Sequence, residues 1–116
     1  MIGIDLIKTD RMKHLIERFG DRGLSKFLSE DEILLIKNHR NAAGFWAAKE
    51  ACAKALGCGI GHECGFHDIV LSKTAKGAPR IALNHKVSEY FNTKNISVSI
   101  THDGDYAIAV VAIETK

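Results

Sequence analysis

The chain holds a single proline, no apolar run approaching the roughly 18 to 20 residues that span a bilayer, and only a small surplus of positive charge. Without such a run there is no candidate membrane helix. Met1 to Asp5 lack the basic start and apolar core of a signal peptide, so the expected setting is cytoplasmic. Three cysteines are an odd number with no framework spacing, which excludes a disulfide scaffold and agrees with a reducing compartment. A net charge of +2 is too small for a general nucleic-acid binder, which carries a basic stripe.

What is present is an ordinary globular composition: 116 residues, 46% hydrophobic and 26% charged. Residues 1–116 read as one domain with a modest core, small enough that oligomerisation would help to complete the core or the site. The stretch Phe45-Trp46-Ala47-Ala48-Lys49-Glu50-Ala51-Cys52-Ala53-Lys54-Ala55-Leu56-Gly57 is rich in alanine and free of proline. It predicts a long helix, with Asn41 placed to cap it and Gly57 to end it. Phe45, Ala48, Cys52, Ala55 and Leu56 form one buried stripe, leaving Lys49, Glu50 and Lys54 on the outward face. Glu50 and Lys54, one turn apart, can pair along the helix surface. Alternatively, a carboxylate beside an ammonium group suits a metal ion and the phosphate it bridges. A choice between the two needs a second carboxylate and a phosphate cradle.

The rest of the chain offers both. Met1 to Ile7 reads as a buried strand, in which Asp5 is costly unless partnered; it is either a strand-end cap or a hard oxygen ligand. Thr9 and Asp10 open a helix to Phe19 whose outward residues are largely basic, including Arg11, Lys13, His14 and Arg18, with Arg22 following. Such a face is either simply solvated or a dock for an acidic partner. Gly23 to Leu28 is a helical turn, and Ser29 with Glu32 has capping-box spacing for a short helix to about Lys37, with no evident chemistry.

After the central helix, Gly57 to His67 form a glycine-rich loop. Cys58, His62, Cys64 and His67 have the spacing C-x3-H-x-C-x2-H, which matches no standard zinc module, and Cys52 reads as packing. Asp68 to Lys73 and Pro79 to Leu83 read as strands around a turn where Lys76, Gly77 and Arg80 cluster, either an edge turn or a phosphate grip. Asn84 caps a helix from His85 to about Lys94. Ile96 to Thr101 alternate as a strand, His102-Asp103-Gly104-Asp105 turn, and Tyr106 to Ile113 return.

Taken together, Gly3-Ile4-Asp5, Trp46-Ala47-Ala48-Lys49-Glu50-Ala51 with Lys54-Ala55, and Ser99-Ile100-Thr101-His102 resemble the holo-[acyl-carrier-protein] synthases. These are the small single-domain 4′-phosphopantetheinyl transferases; the Gly57 to Gly61 loop and the Gly77-Ala78-Pro79 turn fit the same pattern. The resemblance implies an α+β fold, a small mainly antiparallel sheet packed against the long central helix, and a homotrimer with each site shared between neighbours. It also implies transfer of the phosphopantetheine arm of coenzyme A to a serine of an acyl carrier protein, for fatty acid biosynthesis, with release of adenosine 3′,5′-bisphosphate.

In that reading Asp5 and Glu50 hold magnesium, Lys54 meets the phosphates, and Asp5, Glu50 and Lys54 form the catalytic set. The base is Glu50 or Asp5, acting directly or through a metal-bound water. Lys54, Gly57, Gly77, Pro79, Arg80, Thr101 and His102 line the coenzyme A site, while Arg11, Leu15, Arg18 and Arg22 receive the acidic carrier. One departure stands out. The family commonly has arginine directly before the aromatic-Ala-Ala-Lys-Glu-Ala run, where this chain has Phe45; Arg40, Lys76 and Arg80 are the candidate substitutes. Two rival readings are a noncatalytic domain that binds an acidic protein or RNA, and a magnesium-dependent hydrolase that cleaves pyrophosphate with water.

Overall fold

A computed structural model describes residues 1–116. Strand β1 (Ile2–Lys8) runs directly into helix α1 (Thr9–Phe19), which Gly20 stops at φ 57°, a left-handed value natural to glycine. Helices α2 (Asp21–Leu24) and α3 (Glu30–Ile33) are single turns, and the Ser29–Glu32 capping box at the head of α3 is complete in both directions. The long helix α4 (His39–Ala55) follows, then β2 (Ile69–Lys73), β3 (Pro79–Leu83), α5 (His85–Phe91), β4 (Thr93–Asp103) and β5 (Tyr106–Thr115).

Several boundaries differ from the sequence reading, each for a local reason. The side chain that caps α4 is Asn38, which accepts from the Asn41 amide; Asn41 instead accepts from the Lys37 amide and staples the turn before the helix. Helix α5 stops at Phe91 because Asn92 takes φ 56°, which releases Thr93 into β4. His102 and Asp103 belong to that strand, and only Gly104 and Asp105 make the turn.

All strand pairs are antiparallel. β1, β5 and β4 form one sheet with β5 in the middle, and β2 and β3 form a separate hairpin. Alternation along the larger sheet gives it two unlike faces. Gly3, Asp5 and Ile7 share one face with Ala107, Ala109, Val111 and Ile113 and with Ile96, Val98, Ile100 and His102, and α4 crosses this face. Ile2, Ile4, Leu6 and Val110 lie on the other, so β1 is buried on one side only.

The close approach of helix and sheet needs small residues on both. A Cβ on Gly3 would stand 1.9 Å from the Ala51 carbonyl oxygen, and one on Gly44 would stand 2.9 Å from Ile100. Ala47, Ala48, Ala51 and Ala55 are fully or almost fully buried, and so are Ala107 and Ala109.

Helix α4 is buried on a second side as well, which overturns the expectation that Lys49 faces outward. No part of Lys49 is exposed. Its Nζ donates to the Phe27 carbonyl (2.7 Å), Glu32 Oε1 (2.8 Å) and the Phe66 carbonyl (3.0 Å). The Glu32 carboxylate in turn accepts from the amides of Ser29 and Leu71. Phe27, Trp46 and Phe66 stack edge-on and tilted in the same layer, with ring centroids 4.8 to 6.0 Å apart. Burial pulls the Lys49 pKa down, and the Glu32 carboxylate opposes that shift.

Breaking a dry ion pair strands the surviving charge, at a cost of about 3–5 kcal/mol. Lys49→Met should lower the folding free energy on that scale in urea denaturation. Adding Glu32→Gln should recover much of the loss, because it removes the stranded charge yet keeps an oxygen for the Leu71 amide.

Candidate functional site

The tight packing at Gly3 decides where Asp5 stands. Two residues further along the same face of β1, its carboxylate meets the last turns of α4, and Lys54 Nζ donates to Asp5 Oδ1 at 2.9 Å and to the Ile4 carbonyl at 3.2 Å. The costly strand aspartate therefore has its partner, 49 residues away in sequence. This hydrogen bond is the largest cause of the raised Lys54 pKa.

Glu50, one turn before Lys54, does not make the surface pair with it that the spacing suggested, since Lys54 is turned towards Asp5. Burial pushes the Glu50 pKa up, and the nearby Asp5 carboxylate pushes it further; Lys54 and Arg11 act in the opposite direction. Two carboxylates from a strand and a helix thus converge beneath two cations. Arg11 lies at this edge with its guanidinium 5.9 Å from the centre of the Trp46 ring. It stands beside the carboxylate cluster as well as on the basic helix.

The remaining docking candidates continue along α1. Leu15 is half-buried against Gly23, Arg18 is exposed with its guanidinium over Phe19, and Arg22 is exposed on α2. Arg11, Leu15 and Arg18 follow i, i+4, i+7 and so form one stripe, leading from the carboxylates over about 10 Å.

A second feature lies beside the first half of α4. A cleft of about 180 Å³ is walled by Asn41, Gly44, Phe45, Lys73, Gly77, Pro79, Ile100 and His102. It gathers Gly77, Pro79 and His102 of the expected nucleotide residues. Gly57, Arg80 and Thr101 are not in its wall. Thr101 precedes His102 in β4 and so points to the opposite face of the sheet, and Arg80 lies opposite Ser72 on the outer side of the β2–β3 hairpin. Gly57 sits beyond the far end of α4 at φ 83°. The cleft adds Lys73, whose side chain shares the inward face with Pro79, Leu71 and Ile81. His102 Nε2 is anchored on the Arg40 carbonyl at 2.9 Å.

The comparisons with known proteins meet this geometry. A model of the 4′-phosphopantetheinyl transferase superfamily matches residues 1–111. The chain belongs to that superfamily. The transferase is 64% identical over 115 residues to the holo-[acyl-carrier-protein] synthase of Sulfurimonas denitrificans, covering 99% of this chain and 95% of that one. It is 53% identical over 116 residues to the Wolinella succinogenes protein of the same name, covering 100% and 98%. Among solved structures, Helicobacter pylori holo-[acyl-carrier-protein] synthase in complex with coenzyme A superposes with a TM-score of 0.95 at 46% identity, covering 98% of this transferase and 100% of that chain. The Bacillus anthracis synthase in complex with coenzyme A (3′,5′-ADP) gives 0.82 at 30% identity, covering 99% and 96%.

The side chain of Lys54 is half exposed, so its bond to Asp5 is screened and contributes at most about 1 kcal/mol to folding. Lys54→Met should leave the denaturation midpoint nearly unchanged; on the expectation that Lys54 meets the substrate phosphates, it should lower transfer turnover about 100-fold, the scale of losing a charge donor to the transition state.

Proposed function

We propose that this transferase moves the 4′-phosphopantetheine arm of coenzyme A onto a serine hydroxyl of an apo acyl carrier protein, releasing adenosine 3′,5′-bisphosphate. The observation that carries the reading is the convergence of Asp5, Glu50 and Lys54 from distant elements, in a member of this superfamily. The serine oxygen forms a bond to the phosphorus that bears pantetheine. The bridging pyrophosphate bond breaks, and the bisphosphate leaves with its electrons. The hydroxyl proton goes to one of the two carboxylates, Glu50 or Asp5, directly or through a water they hold. Lys54 faces the charge that grows on the departing phosphate.

The donor set fits magnesium. Nowhere in the chain do three histidine, cysteine or carboxylate groups gather as a closed metal cage. Magnesium needs none, because it takes one or two carboxylates and completes its shell with water and substrate phosphate. Asp5 and Glu50 would hold it. When bound, it neutralises the pyrophosphate and orients it for in-line attack.

The carrier docks along Arg11, Leu15 and Arg18, with Arg22 beyond, where positive charge steers an acidic partner towards Glu50. Three free thiols fit a reducing cytoplasm.

The same reading makes the active assembly a homotrimer, the number that the family resemblance implies. Two features support sharing of the site between copies. The cleft of about 180 Å³ is smaller than the roughly 300 Å³ at which complete small-molecule sites begin. Moreover, Phe45 in its wall and Glu50 in the carboxylate cluster are five residues apart, about 140° around the helix, so the cleft and the cluster lie on different flanks. The outer face of the large sheet offers an apolar contact surface, with Ile2 74%, Ile4 58% and Leu6 56% exposed. Ile4→Glu should yield monomers by light scattering and lose at least about tenfold in transfer rate with the fold retained. An unchanged trimer would move the interface elsewhere.

The reaction itself is tested by intact-mass spectrometry of an apo acyl carrier protein incubated with coenzyme A, with magnesium and again with chelator. A gain of one phosphopantetheine arm is expected only with the metal, and Glu50→Gln should abolish it. Loss of coenzyme A without a carrier adduct would instead indicate hydrolysis.

A further inference from the structure

We propose that Cys58 is a site of reversible modification by low-molecular-weight disulfides, and that Cys64 resolves the adduct into a Cys58–Cys64 disulfide. The inference does not depend on the transfer reaction.

All three thiols of the chain are free, and they sit together. Cys52 and Cys64 are wholly buried in the main core, and Cys58 packs half-buried against it. They stand close enough for a charge on one to be felt by the others, since a thiolate at Cys58 opposes ionisation of both Cys52 and Cys64. Only Cys58 reaches solvent, so a reagent meets it first.

Glycines build the backbone between the two thiols. Helix α4 ends at Ala55, and the amides of Cys58 and Gly59 both donate to the Ala53 carbonyl, which sets Cys58 just past the last turn with its Sγ 3.7 Å from the same oxygen. Gly57 and Gly59 take φ 83° and 67°, left-handed values that turn the chain back on itself. From Ile60 to Cys64 the backbone makes one hydrogen bond of its own, from the Gly61 amide to the Cys64 carbonyl, and neither Gly59 nor Gly61 is packed against a neighbour. Little resists the movement that brings the two sulfurs into bonding range. Cys52, fixed inside α4, lacks that freedom.

The exchange takes two steps. The Cys58 thiolate attacks one sulfur of oxidised glutathione, the glutathione disulfide breaks, and one glutathione leaves with the electron pair and takes up a proton. Cys64 then gives its proton to water and attacks Cys58 Sγ, which expels the second glutathione. Two cysteine thiols are oxidised and one disulfide is reduced to two thiols. Burial, and then Glu63, hold the Cys58 thiol above its ordinary pKa, so its thiolate is scarce but strongly nucleophilic. Cys64 is pushed up to about 12 by burial, then by Cys58 and Asp68. A Cys58 held in a mixed disulfide carries no charge, so the first step removes one obstacle to the second.

The test incubates the reduced protein with excess oxidised glutathione at about pH 8, where exchange is faster, and follows intact mass and a non-reducing peptide map. Wild type should end with the loss of two hydrogens and a Cys58–Cys64 link, reversed by dithiothreitol. Cys64→Ala, which keeps an apolar group in the core, should instead hold one glutathione on Cys58, gained at least about tenfold faster than any on Cys52. Cys58→Ser should form neither species, and Cys52→Ala should behave as wild type. Circular dichroism of each variant confirms the fold. Glutathione retained on Cys52 or Cys64, a link that involves Cys52, a wild-type adduct that never resolves, or no reaction in the folded protein would overturn the assignment.

Discussion

The contact between Gly3 and the Ala51 carbonyl sets the geometry on which the site depends. With no room for even a methyl group there, the backbone of β1 lies directly on α4, and everything two residues onward is placed to within a side chain's reach. Asp5 can meet Lys54 and raise the Glu50 pKa only because strand and helix touch without intervening side chains. The alanines of α4 and of β5 extend that close approach across the sheet, and Gly44 repeats it at the His102 end. Small residues here act by what they exclude. They leave Glu50 and Lys54 as the long groups at the rim, so chemistry gathers where the packing stops.

The other flank of the helix solves the opposite problem. Its turn is fixed by a charge wholly removed from water, with Lys49 held by two carbonyls and Glu32, and Glu32 held by two amides. Such a pair adds little net stability over a well-packed apolar equivalent, but it tolerates only one arrangement of its partners. It ties the segment around Phe27, the head of α3, Phe66 and the start of β2 to a single rotation of α4. That rotation carries Glu50 and Lys54 towards β1 and Phe45 towards β2, so the cleft and the carboxylates depend on one buried contact that neither contains.

Much of this was legible from the residues. The alanine-rich helix, the strand aspartate in need of a partner and the alternating hairpin came from periodicity and cost alone, and the ordered motifs pointed to the superfamily that the comparisons bear out. What could not be read was which flank of a helix is covered twice. Lys49 and Lys54 look alike in a sequence, both beside alanines and near Glu50, yet one is dry and one is wet because α3 and β2 close over only one of them. The capping-box glutamate gave the single available signal, since a Glu32 that reaches back to its own helix start has a second oxygen to place. The place of Lys73 in the cleft wall was missed for a simpler reason. It follows from strand parity, and Arg80, paired with the residue before Lys73, has the more conspicuous charge but lies on the outer side.

The division of charge along α4 then explains why a chain this small holds its chemistry at its edges. A lysine saturated by three acceptors in the dry interior has no donor left for a phosphate, so Lys49 is excluded from the reaction by the bonds that make it structurally necessary. Lys54 is half exposed with one carboxylate partner, and Lys73 has a ring face and no carboxylate beside it. Availability, and not charge alone, separates the three. With Asp5, Glu50 and Lys54 at the rim of one flank and the cleft lined by Gly77, Pro79 and His102 on another, and with an apolar sheet face beside them, the proposed function divides its site between two places on the chain. On that reading, an assembly of copies is what lets those parts meet.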